Sequence, residues 1–323
     1  MRRRLILALV PMFVAILVAG CGGRAAAPKY PTKPIEMTVL FGAGSSADLV
    51  ARQLASGLEK VLGQPVAVVN RTGAGGAVGY NYVKTKPADG YSIVWNSNSI
   101  STAYYAGNMK LTYKDFDPVA QVSVETATIA VAADSPWKTL PELIEYARQN
   151  PGKVRIGNSG NGSYTHLTAA ALAKAAGIEV IHVPFGQGLA VSSLLGGKIE
   201  ASVQLPAEIM SQYQAGKVRI LAVTDSERDP ALPDVPTAKE QGVDLVMNLW
   251  RGVAAPSGTP KEVIQVLEGA IQKVVTSDEF KEASKKLSFR PAFLGAQDFG
   301  KLIADDDARI GQLMADLGLR KTQ

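Results

Sequence analysis

Two turns in the chain carry residues suited to holding an anion. "LFGAGSSAD" (Leu40 to Asp48) sits between an alternating apolar run and an amphipathic helical pattern. "RIGNSGNGSYTHL" (Arg155 to Leu167) repeats the plan, a strand, a glycine and serine turn, and a helix beginning near Ser163. A helix that starts at such a turn presents N–H groups without intrahelical partners, together with the positive end of its dipole, and so suits an anion. Two such turns can grip one ligand from both ends. Micromolar binding needs about 8 kcal/mol, whereas one charge-assisted hydrogen bond contributes roughly 1.5–3 kcal/mol, so several donors and an enclosing cleft are required. The plainer alternative is a pair of tight strand-to-helix connections, with Ser45 and Asp48 closing a capping box and Ser163 or Thr165 capping the second helix.

Enzymatic readings of the same residues are poorly equipped. A phosphate loop requires a lysine after its last glycine, and neither turn has one. In "NRTGAGGAVGY" (Asn70 to Tyr80), Gly73, Gly75 and Gly79 miss the dinucleotide spacing by one residue. That loop reads as a connector whose glycines permit positive φ and close approach. Ser45 follows a glycine but lacks the spacing of a nucleophile elbow. The two histidines are His166, on the first turn of the second helix in a capping or core position, and His182, packed or lining a cleft within "EVIHVPF". No H-E-x-x-H occurs, and "DDD" (Asp305 to Asp307) reads as a solvated helix face, so neither a metal nor a cofactor is expected. A hydrolase using Ser45 or Ser163 is the leading enzymatic alternative.

The N-terminus bears on location. Arg2, Arg3 and Arg4 precede an apolar stretch from Leu5 to Gly20 with the plan of an export signal. "LVAGC" ends at Cys21, the single cysteine, and resembles a lipobox, which makes 1–20 a leader, Cys21 a lipid attachment point and 21–31 a tether. The alternative is ordinary cleavage after Ala25 to Ala27. Either way the protein is expected in the bacterial cell envelope, periplasmic or otherwise extracytoplasmic, without disulfides. Loss of the three arginines lowers the formal charge from +5 to +2, which removes the compositional argument for nucleic acid. The remaining chain of about 300 residues is long enough for one large or two moderate cores.

Strands and helices alternate along it, which argues for an α/β fold with parallel sheets. Strands are expected at Pro34 to Phe41, Pro65 to Asn70, Tyr91 to Asn96 and Thr128 to Ala133. After the first, Val50, Leu54, Leu58 and Val61 form one helical face. The pattern restarts at "TLPELIEYARQN", where Thr139 and Glu142 have capping-box spacing. It continues through strands beginning at Val154, Glu179, Ile199 and Val218, and through helices at Thr165 to Ala176 and near Leu189 to Leu195. "LWRGVAAP" (Leu249 to Pro256) is a further strand. The rest is mostly helical, with Thr259 as cap and Val263, Leu267, Ala270 and Val274 on one face. Two αβ lobes result, and periodicity does not say which of them the C-terminal segment joins.

The ordered blocks "YPTKPIEMTVLFGAGSSADLV", "GNSGNGSYTHLTAAALAKAAGIEVIHVPF", "LLGGKIEAS", "AGKVRILAVT", "DVPTAKEQG" and "WRGVAAPSGTPKEV" resemble the Bug or TctC-type extracytoplasmic solute receptors of tripartite tricarboxylate transporters, from Tyr30 to the C-terminus. The resemblance implies a two-lobed type II periplasmic-binding-protein fold, a Venus flytrap with 32–131 and 249–323 in lobe 1 and 132–248 in lobe 2. It implies a small organic carboxylate as ligand, a two-component membrane permease as partner, and a monomer. Carried onto this chain, the site comprises Phe41, Gly42, Ala43, Gly44, Ser45, Ser46 and Asp48 in the first turn. Asn96 and Asn98 lie at a strand end, Ser159, Gly160, Asn161, Gly162, Ser163 and His166 in the second turn, and Gln204 beyond it. A sensor subunit for a membrane kinase would use the same closing receptor.

Departures from the family pattern bear on the ligand. The usual A-G-G-x-x-D is Ala43-Gly44-Ser45-Ser46-Ala47-Asp48, with an added hydroxyl. Val203 and Gln204 replace a phenylalanine and an aspartate, which disfavours amino-acid ligands. "PFGQG" (Pro184 to Gly188) lacks the common lysine. Tyr164 and Trp250 would add apolar walls suited to an aromatic or extended carboxylate, unless Trp250 is core.

Overall fold

The structure is a computed structural model and describes residues 30–185 and 189–321. The leader, the lipobox with Cys21, most of the tether and the last three residues of "PFGQG" lie outside the described residues. Among the described residues no helix is long and apolar enough to cross a membrane.

In chain order the elements are β1 (Ile35–Val39), α1 (Ser46–Leu62), β2 (Val66–Asn70), α2 (Ala77–Lys84), β3 (Ser92–Ser97), α3 (Ser99–Tyr105), β4 (Phe116–Thr126), β5 (Thr128–Ala132), α4 (Leu140–Gln149), β6 (Val154–Asn158) and α5 (Tyr164–Ala176). There follow β7 (Val180–Pro184), α6 (Leu189–Leu195), β8 (Ala201–Gln204), α7 (Pro206–Gln214), β9 (Val218–Val223), β10 (Asn248–Pro256), α8 (Lys261–Val275), α9 (Asp278–Leu287), β11 (Arg290–Gly295) and α10 (Ala296–Asp316).

Two sheets organise them. The first runs β11-β4-β10-β3-β1-β2 and the second β7-β6-β8-β5-β9. Neither is purely parallel, contrary to the expectation from alternation. β1 pairs in parallel with β2 and β3, but β10 is antiparallel to β3 and β4, and β11 is antiparallel to β4. In the second sheet β5 runs antiparallel to β8 and β9. Four of these strands, β4, β5, β9 and β10, carry the chain between the sheets. β4 ends at Thr126 and β5 begins at Thr128, while the return leads from β9 into β10. These crossings place the ends of β4 and β10 at the junction of the lobes.

Alternation on the strands divides the cores. Ile93 and Trp95 of β3 face the α1 and α8 side, and Val94 faces the α2 and α10 side. Ile129 and Val131 of β5 pack against α4 and α5, and Ala130 packs on the opposite face. α1 buries Val50, Leu54 and Leu58 as its spacing predicts, but Val61, in its last turn, is 39% exposed. Gly63, at φ 67°, closes that helix by returning its N–H to the Glu59 carbonyl.

Several local expectations need correction. β4 and β11 are strands that the sequence reading did not assign, and each carries a proline, Pro118 and Pro291, that weakens the strand pattern locally. Thr259 does not cap α8. Its hydroxyl donates to the Pro256 carbonyl and Pro260 holds the cap position. At α4 the Thr139 hydroxyl accepts from Glu142 N–H, but the Glu142 carboxylate takes the N–H of Lys138 and not that of Thr139. Asp306 is not solvated. It is buried, and accepts from Trp250 Nε1, Asn98 Nδ2 and Arg309.

Candidate functional site

The first turn is held rigid by its own residues. Gly44 adopts φ 79°, Ser45 caps α1 by accepting the Asp48 N–H at 3.3 Å, and Asp48 accepts the Gly44 N–H at 3.0 Å. Asn70 ties the loop down by donating to the Phe41 carbonyl and to Asp48, both at 2.9 Å. Burial would raise the Asp48 pKa, but hydrogen bonds from Arg52, Gly44 and Asn70 outweigh it and hold the carboxyl below its ordinary range. Half of the expected capping box therefore exists, with Asp48 reaching Gly44 instead of Ser45, whose N–H goes to Gly42.

The second turn follows the same logic with different groups. Ser163 caps α5 by accepting the His166 N–H at 3.2 Å, and Gly162 N–H donates to His166 Nδ1 at 3.2 Å. His166 lies 5.0 Å from His182, ring to ring. Burial, then repulsion from His182, pushes the His166 pKa down to about 4. His166 is thus a neutral brace for the turn, and its Nδ1 is committed to backbone instead of to the Ser163 hydroxyl. Ser159 N–H donates to Thr165 Oγ1 at 2.8 Å, and the Ser159 hydroxyl donates to Gln204 Oε1 at 3.4 Å.

Between the two helix starts lies a small pocket of about 20 Å³, whose lining includes Ala47, Ser163, Tyr164, Thr165, Glu208 and Arg251. That volume holds about one water molecule. Among the described residues the N–H groups of Ala47, Tyr164 and Thr165 have no protein acceptor. The floor is ionic. Arg251 of β10 pairs through Nε with Glu125 of β4, the Ser46 hydroxyl donates to the other Glu125 oxygen, and Ser46 N–H donates to Glu208 Oε1 at 3.2 Å. The Arg251 side chain makes no other hydrogen bond among the described residues, which leaves its terminal nitrogens for the pocket. Glu208 Oε2 is buried with no hydrogen-bond partner among the described residues. Desolvation lifts the Glu208 pKa to about 7, against the pull of Ser46 N–H and Arg251 and with the push of Glu125.

Phe41 and Ser159 also line a larger cavity of about 540 Å³ that opens outward between the lobes, bounded by Gly42, Thr72, the Gly73 to Gly76 loop, Gly160, Asn161, Phe185 and Leu189. The glycine loop makes the close approach expected of it. A Cβ on Gly75, at φ 66°, would stand 2.9 Å from the Gly162 carbonyl oxygen of the other lobe. Asn108 bridges the same seam, donating to the carbonyls of Ala74 and Asn161 at 3.1 and 3.3 Å.

Of the predicted site residues the structure brings Phe41, Gly42, Ser159, Gly160, Asn161 and Ser163 to the lining of the cleft, while Ser45, Ser46, Asp48, Gly162, His166 and Gln204 stand behind it and brace the two turns. It does not bring Asn96 and Asn98 into that lining. Asn96 Oδ1 accepts from Tyr80 at 2.7 Å, and Asn98 is committed to Asp306 and to Trp250 N–H. Ala43 and Gly44 are exposed on the rim. Trp250 is core, stacked edge-on with Phe299 at 5.2 Å. No group of three or more metal-ligating side chains occurs among the described residues.

Residues 50–319 match the model of the TctC family, the tripartite tricarboxylate transporter family receptor. The chain belongs to this family. This receptor is 32% identical to the protein BugT of Bordetella pertussis, over 98% of each chain. Among solved structures, the periplasmic binding protein BugD superposes with a TM-score of 0.84 at 31% identity, covering 91% of this chain and all of the other. A Rhodopseudomonas palustris protein solved with adipate superposes at 0.83 and 28% identity, covering 90% and 98%. The two-lobed flytrap fold is thereby shown.

Sequence reasoning missed Glu125, Glu208 and Arg251 in this receptor. The signal for two of them was present, since a lone charge within an apolar strand run, as in "LWRGVAAP" or "VSVETATIAV", implies a buried partner. Glu208 gave none, because an acidic residue in the first turn of a helix is ordinary.

Proposed function

We propose that this receptor captures a small organic carboxylate in the cleft between its lobes and presents the closed, loaded form to a two-component membrane permease. The observation that carries this reading is the pocket between the starts of α1 and α5, where unpartnered N–H groups from both lobes and the terminal nitrogens of Arg251 converge. The ligand's carboxylate displaces the water-sized space there, and its body extends past Phe41 and Ser159 into the outer cavity. The adipate held by the R. palustris relative is a ligand of this chemical type. Because the small pocket cannot admit a carboxylate as it stands, binding requires the lobes to part and close again. Ligand turnover is not part of the reading, since Ser45 and Ser163 act as caps and His166 Nδ1 accepts a backbone N–H.

The protein works in the cell envelope as a monomer, lobe 1 being 32–131 with 249–323 and lobe 2 being 132–248, tethered by a lipid on Cys21. A thermal-shift panel of carboxylates, sugars, amines and metal ions tests the ligand reading. A ligand at about 100 times its Kd adds about 2.7 kcal/mol, a rise of a few degrees for a chain of this size. Shifts with sugars or metals and with no carboxylate would overturn it.

A further inference from the structure

The cleft offers a seat for one anionic group and no second positive charge. Resting on the carboxylate reading above, we propose that this receptor selects ligands bearing a single carboxylate on an uncharged, largely apolar body over di- and tricarboxylates, with the outer cavity that receives the body as the determinant.

The two half-clamps are unequal. At the start of α1 the Ser46 N–H is taken by Glu208 Oε1, the Ser46 hydroxyl by Glu125 and the Asp48 N–H by Ser45, so of the N–H groups that open the helix only that of Ala47 has no acceptor among the described residues. An acidic side chain of the protein already stands where an anion would bind lobe 1. At α5 the N–H groups of Tyr164 and Thr165 remain free and face the same pocket as Arg251. These donors make up one carboxylate's cradle.

Charge tells the same story. Arg251 is matched by Glu125, so Glu208 is the excess acidic group on the floor, and its Oε2 has no hydrogen-bond partner among the described residues. That floor has one cation for two acidic side chains and none to spare for a ligand end carrying two carboxylates. Further out, none of the described side chains lining the 540 Å³ cavity is ionisable; Phe41, Phe185 and Leu189 give it apolar walls, with Thr72 and Asn108 at its polar edge. A hydrocarbon or aromatic body gains from burial there, whereas a second carboxylate exchanges its hydration for backbone dipoles alone.

Isothermal titration of the purified receptor with matched pairs, hexanoate against adipate and benzoate against terephthalate, tests this. The wild type should bind the monocarboxylate of each pair at least tenfold more tightly. Leu189→Lys, with Phe185→Lys as the alternative if the first is unstable, supplies a cation to the outer cavity and should narrow that ratio severalfold. Dicarboxylates bound as tightly as monocarboxylates, or a ratio unmoved by both substitutions, would overturn the selection while leaving the carboxylate reading standing. Binding of no carboxylate by a cooperatively melting protein would overturn both.

Discussion

Arg251 and Glu125 face one another diagonally across the antiparallel strands β10 and β4, as an ion pair only 3% and 1% exposed. Both strands lie where the chain crosses between lobes, so the pair forms the floor of the cleft. Ser46 ties α1 to it through Glu125, and Glu208 ties in α7. The floor therefore couples the start of the lobe 1 helix to a lobe 2 helix through ionic groups that solvent scarcely reaches.

Removing one member leaves an unpaired buried charge. Arg251→Ala should cost about 3–5 kcal/mol in urea unfolding, and Glu125→Gln combined with Arg251→Met should recover much of that loss. Additive losses in the double variant would show that the pair is not the coupled unit described.

Glu208 makes stability depend on pH in one direction. Its folded pKa of about 7 lies above the ordinary 4.5. The folded state therefore keeps a proton that the unfolded chain releases, and this contribution to stability is lost as pH rises from about 4.5 to about 7. Glu208→Gln should be more stable than wild type at pH 8, by on the order of 2 kcal/mol, and nearly equal to it at pH 4. A constant difference across that range would contradict the assignment.

His166 acts with the opposite sign. Its pKa is depressed from 6.5 to about 4, so its contribution is complete above pH 6.5 and is lost as pH falls toward 4. His166→Asn, which can still accept the Gly162 N–H, should flatten that acid limb in thermal melts; an unchanged limb would assign it to other groups.

Gly75 reports on closure. Alanine there adopts φ 66° and meets the Gly162 carbonyl across the cleft. Local strain should cost about 1–2 kcal/mol, and ligand affinity should drop about tenfold, or about 1.4 kcal/mol, because the contact exists only between lobes. Calorimetry showing wild-type affinity would mean that this seam does not form in the bound state.

Ser45→Ala and Ser163→Ala should each destabilise the protein by about 1 kcal/mol through loss of a cap and weaken ligand binding severalfold, since the caps fix the directions of the free N–H groups. Unchanged affinity in both variants would reduce the serines to plain capping.

Much of this architecture was legible in the sequence for local reasons. The caps at Ser45 and Ser163 and the spacing of Val50, Leu54 and Leu58 each follow from a few neighbouring residues. The two turns could be paired because each follows a strand and opens a helix. The floor could not be read this way. Glu125, Glu208 and Arg251 come from three distant elements, and only the antiparallel crossing of β4 and β10 brings the first and last together. Asn98 misled for a related reason, since Asp306, its buried partner, sits in "DDD", which looks solvent-facing when the helix is read alone.

The most direct measurement of the central claim is calorimetric titration of the receptor with its best carboxylate from the thermal panel and, in parallel, with the primary amide of the same acid. Size and shape are nearly conserved between the two, and the negative charge is removed. The account predicts that the carboxylate binds and the amide binds at least a hundredfold more weakly, since unpartnered N–H groups and Arg251 await an anion. Equal affinity for the amide would contradict it.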